Sequence, residues 1–269
     1  MTADRRTTLA AACRFVLTTA EPHAKVMAAR KAARDWRLRR LDHIFDMDMP
    51  DWPSRPSEPA LLSPGQMPKR RKAGTQATRI ALLHALAHIE FAAIDLAFDL
   101  VGRFGAEFPR TFVDDWMKVG ADEAMHFVLL DRRLRQLGSH YGALPAHDGL
   151  WESAFETRHD ALARLAIVPM VLEARGLDVT PSTVARFAAA GDSVSARILN
   201  RIYNDEISHV FAGTKWFETG CSARQILPKP YWKILVNRHF SGTLKPPFND
   251  SARLSAGLSR DYYGDVAIV

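Results

Sequence analysis

The chain has 269 residues, 47% of them hydrophobic and 25% charged, with a formal net charge of +6 and only two cysteines. That length supports one large domain or two small ones. Two cysteines exclude a disulfide framework and a thiolate-rich metal site within one chain. No apolar run approaches the roughly 20 residues that span a bilayer. Arg14 interrupts the N-terminal apolar stretch before it resembles a signal peptide, so a cytoplasmic protein without a membrane partner is expected.

Residues 1–44 read as helical. Leu9, Cys13, Val16 and Leu17 form one apolar stripe, and a second helix is expected from Ala24 to Ile44. These helices, residues 1–48, are expected to pack on a helical bundle formed by the middle of the chain. Residues 49–73 form a connector. Pro50, Pro53, Pro56, Pro59, Pro64 and Pro68 prevent regular structure, and the basic tract Lys69-Arg70-Arg71-Lys72 closes it. Residues 1–73 hold 15 Lys/Arg against 8 Asp/Glu, whereas residues 74–269 hold 21 against 22. The basic excess therefore sits in the first quarter of the chain. A solvated helix face with a charged linker is its ordinary explanation, and a docking arm for nucleic acid is the alternative.

The span 74–218 reads as the bundle. Helix A is expected over Thr75–Gly102 and helix B over Arg110–Leu137, with Pro109 near the start of B and Gly138 just past its end. Helix C should begin near Trp151, kink at Pro169 and stop near Gly176, with a short extension from Pro181 to Ala190. Gly191-Asp192 reads as a C-cap followed by an N-cap, opening helix D, which should run to Phe217. Residues 219–269 are expected to be short helices and loops capping the bundle.

Six residues in the bundle carry chemistry: Glu90, Glu123-x-x-His126, Glu173 and Glu206-x-x-His209. Both intervals between a lone Glu and the following motif are 33 residues, which points to a duplicated helical hairpin. The A–B loop lies midway between Glu90 and Glu123, so an antiparallel hairpin sets them at one height. A Glu and a His three residues apart share a helix face. Carboxylates on apolar stripes are costly unless paired or bound to metal, and two divalent cations would balance four of them. One Glu from each of two helices plus a Glu-x-x-His from each of two others is the ligand set of ferritin-like dimetal bundles. Carboxylate with imidazole and no thiolate suits iron or manganese.

Asp122 and Asp205 each precede a motif Glu and are expected to accept a hydrogen bond from a ligand histidine. Tyr203, one turn before Glu206, either bonds a ligand or packs in the core. His84 and His88 read as flanking or exposed residues pointing away from the Glu90 stripe. No catalytic residue beyond the ligands is assigned.

The segments Asp122-Glu123-Ala124-Met125-His126, Val171-Leu172-Glu173-Ala174-Arg175-Gly176-Leu177-Asp178 and Asn204-Asp205-Glu206-Ile207-Ser208-His209 resemble the ferritin-like superfamily of di-iron carboxylate proteins. Within it they resemble a bacterial ferritin-like family of unknown function, and the Glu-Ala-Arg run is distantly similar to a tRNA hydroxylase. The resemblance implies an all-α, ferritin-like four-helix bundle with extra N-terminal helices and a C-terminal capping segment. It implies two iron ions, with manganese or a mixed Mn/Fe pair as alternatives. The function expected is an oxygen-activating oxidase or monooxygenase, taking O2 or peroxide, an unknown substrate and an external electron donor, with a second copy in a homodimer as a further candidate partner. The alternatives are a non-catalytic or peroxide-scavenging metal protein and a tRNA-modifying hydroxylase.

Overall fold

The computed structural model describes residues 7–63, 66–67 and 75–264. The tract Lys69–Lys72 with Pro64 and Pro68 lies outside them. Every regular element among the described residues is helical; two isolated β-bridges are the sole extended pairings there. The chain divides into two compact units, Met1–Trp151 and Glu152–Val269.

The first unit holds helices α1 (Leu9–Thr18), α2 (Pro22–Arg37), α3 (Gln76–Phe104) and α4 (Arg110–Gln136). α3 and α4 form a long hairpin, α1 packs on α3, and α2 packs on α4. Thr75 caps α3 through a reciprocal box with Thr78. α4 ends where Gly138 takes a positive φ of 79° and Ser139 N–H donates to Leu134 O at 2.9 Å, a Schellman close. α2 stops at Arg37, short of the expected Ile44: Arg40 N–H turns back to Asp35 O at 2.8 Å, and Arg39 has a φ of 55°.

By length and composition α3, extended to Glu107, is the one helix among the described residues able to cross a membrane. Counting unbroken apolar runs misses it, because Glu90, Asp95 and Asp99 interrupt it. Yet 72% of its most apolar stretch is buried within the protein, and those three acids are buried with it. A helix apolar all round belongs in a core, and its acids have partners there. Asp95 accepts from Lys25 Nζ and Arg55 Nη1, while Asp99 Oδ1 accepts from Arg103 Nε at 2.8 Å. Arg103 also donates to Pro50 O at 2.7 Å, and Trp151 Nε1 donates to Asp51 O at 2.9 Å. The proline-rich connector is thus strapped along α3 by side chains reaching its carbonyls, which it cannot satisfy through secondary structure.

α5 (Gly149–Glu156) spans the division between the units. The second unit continues with α6 (Ala161–Ile167), a π-helical turn (Val168–Glu173), α7 (Ala174–Ala189), α8 (Ser193–Ala223), α9 (Pro228–His239), α10 (Asp250–Ser255) and α11 (Arg260–Tyr263). The expected helix C is therefore three pieces rather than one. Asp160 restarts the chain by accepting from Leu162 and Ala163 N–H, and Pro169 widens the next turn because it has no N–H for the carbonyl four residues back. The expected stop at Gly176 is absent: α7 runs through Gly176 and Pro181 to Ala189. Pro181 deprives Leu177 O of its helical partner, and Asn249 Nδ2 donates to that carbonyl instead at 3.1 Å. Gly191, with a φ of 74°, closes α7, and the Asp192 side chain caps α8 by accepting from Ser195 N–H at 3.0 Å. α7 and α8 pack as the long hairpin of this unit, and α8 extends beyond Phe217 to Ala223.

Candidate functional site

The α3–α4 hairpin sets Glu90, Glu123 and His126 against one another. All three are buried, Glu123 at 1% exposure, and their ligand atoms lie within 4.8 Å of one another. His126 Nδ1 is 3.2 Å from Glu90 Oε2 and 3.3 Å from Glu123 Oε2. Burial alone would lower the pKa of His126. Hydrogen bonds and charge from Glu123 and Glu90 outweigh it and push the value up to about 11. His126 Nδ1 thus sits against both carboxylates, whose charge favours a cation at this point. Ligands held about 2.1 Å from one ion lie at most about 4.2 Å apart. The two separations at Nδ1 fall inside that limit, as shared ligation of one cation requires.

The second unit repeats the local pattern. Glu206 and His209 share a face of α8, with His209 Nδ1 at 3.4 Å from Glu206 Oε1 and the imidazole fully buried. Glu173 is the last residue of the π-helical turn. Its position depends on a close contact one turn away, where the Pro169 ring packs on Gly213 of α8. A Cβ built on Gly213 would lie 2.4 Å from Pro169 Cβ and 2.5 Å from its Cγ. Gly213 follows Glu206 by seven residues, so it lies on the ligand face. Gly213→Ala is expected to destabilise the protein by about 1–3 kcal/mol through overpacking, measured by urea denaturation. Unchanged stability would mean the π turn yields freely.

The two motif aspartates behave alike. Asp122 Oδ2 accepts from Lys118 Nζ and Asp205 Oδ2 from Arg201 Nε, each at 2.6 Å and one helical turn back. Tyr203 OH accepts from Asn249 Nδ2 at 3.1 Å, which ties it to the carbonyl left by Pro181 rather than to a carboxylate.

His84 and His88 are not exposed: they retain 1% and 4% of their surface. His84 Nε2 accepts from Gly142 N–H at 2.9 Å, and His88 Nδ1 contacts Tyr141 OH at 2.9 Å. Burial lowers their pKa values to about 4 and about 3. Both are neutral and pin residues 141–144 over the hairpin. Tyr141 packs edge-on to Phe127 at 5.0 Å and against Phe91 at 5.3 Å. Phe91, Phe127 and Tyr141 thus form one aromatic cluster within the α3–α4 hairpin. Sequence reading missed Tyr141; the i, i+4 spacing of His84 and His88 was the available signal.

The Glu-Ala-Arg run has a second role. Arg175 Nη1 donates to Lys245 O at 2.7 Å and Pro247 O at 3.1 Å. Buried Asp178 takes a two-point bond from Arg253, 2.8 Å from Nε and 2.7 Å from Nη2, and a third from Asn249 N–H at 2.9 Å. α7 therefore grips residues 245–253 through the residues just after Glu173.

A relative described as an uncharacterized protein from Haemophilus influenzae (strain ATCC 51907 / DSM 11121 / KW20 / Rd) is 39% identical over 211 residues, which is 76% of this chain and 73% of the relative. No solved structure matches. The family described as "Protein of unknown function (DUF455)" matches residues 18–264, and the chain belongs to that family.

Proposed function

We propose that this is a ferritin-like dimetal-carboxylate protein. In this reading Glu90, Glu123, His126, Glu173, Glu206 and His209 hold two iron ions, with manganese as the alternative metal, and the protein is an oxygen-activating oxidase or monooxygenase. The observation that carries the reading is His126 Nδ1 bracketed by two buried carboxylates at 3.2 and 3.3 Å. Its repetition at Glu206 and His209, 3.4 Å apart, supports the same role for the second motif. Burying carboxylates so deeply is costly without a compensating cation. The donor set of oxygen and imidazole nitrogen favours iron or manganese over a soft metal.

When bound, such a metal pair supplies electrons to dioxygen, which no side chain of the chain can do alone. The protein's own part is to hold the ligands and keep water out. His126 would bind a cation through a deprotonated ring nitrogen, so metal affinity would fall as pH is lowered. Glu90, Glu123 and His126 are buried by the protein itself, which keeps bulk water away and sharpens electrostatic interactions inside. In this reading Asp122 and Asp205, each held by a basic residue one turn back, would orient the histidines.

Metal content tests the reading. Protein produced with iron and manganese in the medium should carry about two transition-metal ions per chain by inductively coupled plasma mass spectrometry. Glu123→Ala and Glu206→Ala should each lose half of that or more. Unchanged content in both variants would sink the dimetal assignment. Oxygen uptake by the reduced, loaded protein separates an oxygen-activating role from passive metal binding.

A further inference from the structure

A long groove runs between α2 and the outer face of α4, away from the carboxylates, with a volume of about 1290 Å³. That exceeds the roughly 300–1,000 Å³ of small-molecule pockets. Alanines 24, 28 and 121 are in its lining, where short side chains leave space between the two helices. Its lining holds seven lysines and arginines against two aspartates, Asp114 and Asp122. Arg30, Arg34 and Arg37 recur along α2 at helical spacing, so their charges extend over about 10 Å. A row of that length exceeds what one small anion needs and matches a polymer of phosphates. Phe15, 63% exposed, and Met27, 53% exposed, stand in the same lining.

We infer that this groove binds a single-stranded nucleic acid. A cationic channel tracks the phosphodiester backbone, and an exposed aromatic ring gives a base a face on which to stack. The concavity favours a strand over a lipid surface, which would meet the rims and leave the interior empty. Phe15 favours a base-bearing strand over a bare polyphosphate. The inference goes beyond the dimetal reading and does not depend on it.

Fluorescence anisotropy of the full chain with a fluorescein-labelled 20-nucleotide oligouridine tests it, read from 50 to 200 mM KCl. Binding should be measurable at 50 mM and fall steeply with salt. The triple variant Arg30→Ala/Arg34→Ala/Arg37→Ala should bind at least about tenfold more weakly. Its slope of log affinity against log salt should be shallower by about 2, from about 0.7 per lost phosphate contact. A control that removes three exposed arginines elsewhere, Arg132, Arg197 and Arg238, should change affinity far less. Phe15→Ala should weaken oligouridine about tenfold and leave inorganic polyphosphate binding unchanged. All four altered positions of the test variants are exposed, and circular dichroism confirms their folding. Absence of oligouridine binding at 50 mM KCl overturns the inference, as does equal loss in the control. Binding only to vesicles of phosphatidylcholine and phosphatidylglycerol assigns the groove to membranes instead. A silent Phe15→Ala reduces it to a general polyanion site. None of these outcomes alters the metal content that tests the dimetal reading.

Discussion

Asp95→Asn is expected to destabilise the protein by about 3–5 kcal/mol, the cost of leaving buried charge unpaired. Asp95 and Lys25 are both fully buried. One carboxylate oxygen accepts from Lys25 Nζ and the other from Arg55 Nη1. Arg55 reaches on to Asp148 at 3.3 Å, so two cations and two anions close a neutral group. Asparagine keeps the shape and removes the charge, so both cations face a dipole. Lys25 can relieve this by releasing its proton, since burial already lowers its pKa. Arg55 cannot. Arg55 also lies over Phe91 at 5.7 Å. The substitution should therefore loosen α2 and the connector together. Urea denaturation gives the stability change, and limited proteolysis within residues 41–63 should quicken. The double variant Lys25→Met/Asp95→Leu should recover only the part of the loss that belongs to Lys25, because Arg55 still lacks the Asp95 carboxylate. A loss below about 1 kcal/mol for Asp95→Asn would show that water reaches the group.

A comparable effect, about 3–5 kcal/mol, is expected of Asp178→Asn in the second unit. Here the charge left behind is Arg253, almost fully buried, whose guanidinium spends two donors on Asp178 and lies 4.5 Å from the Tyr263 ring. Asparagine can accept one of those bonds and not both. The Asn249 N–H and the more distant Arg175, at 3.4 Å, lose their shared acceptor as well. Hydrogen exchange is the discriminating measurement. Amides of α10 and of residues 245–249 should exchange faster while those of α4 stay as they were. Uniform change across both units would mean that Asp178 supports global rather than local stability.

The long hairpin helices were legible because their signals are local. Thr75, Pro109, Gly138 and Gly191-Asp192 act through backbone geometry within a few residues, and they bound α3, α4, α7 and α8. The three ligand candidates of the first hairpin were legible through helical spacing and the midpoint of its turn. Helix C was not, because its outcome was decided far away in sequence. Pro181 is a breaker by every local rule, and only a side chain from residue 249 makes it tolerable. His84 and His88 failed for a similar reason. On a helical wheel they are polar residues off the Glu90 stripe, and the loop that buries them arrives from residues 141–144. Asp95 and Asp99 carry no local signal of burial: the cations that meet them come from the connector and from α3 itself.

The Asn249 side chain also has an implication for how such a chain can diverge. Its amide nitrogen serves both the carbonyl orphaned by Pro181 and the hydroxyl of Tyr203. Proline at 181 is therefore permissible only while asparagine stands at 249, although neither touches a carboxylate of the candidate centre. Homologues should exchange the two positions as a linked pair. A chain trimmed ahead of residue 249 inherits a helix with a gap four residues downstream of Glu173, so the tail belongs to the centre's scaffold as much as the hairpins do.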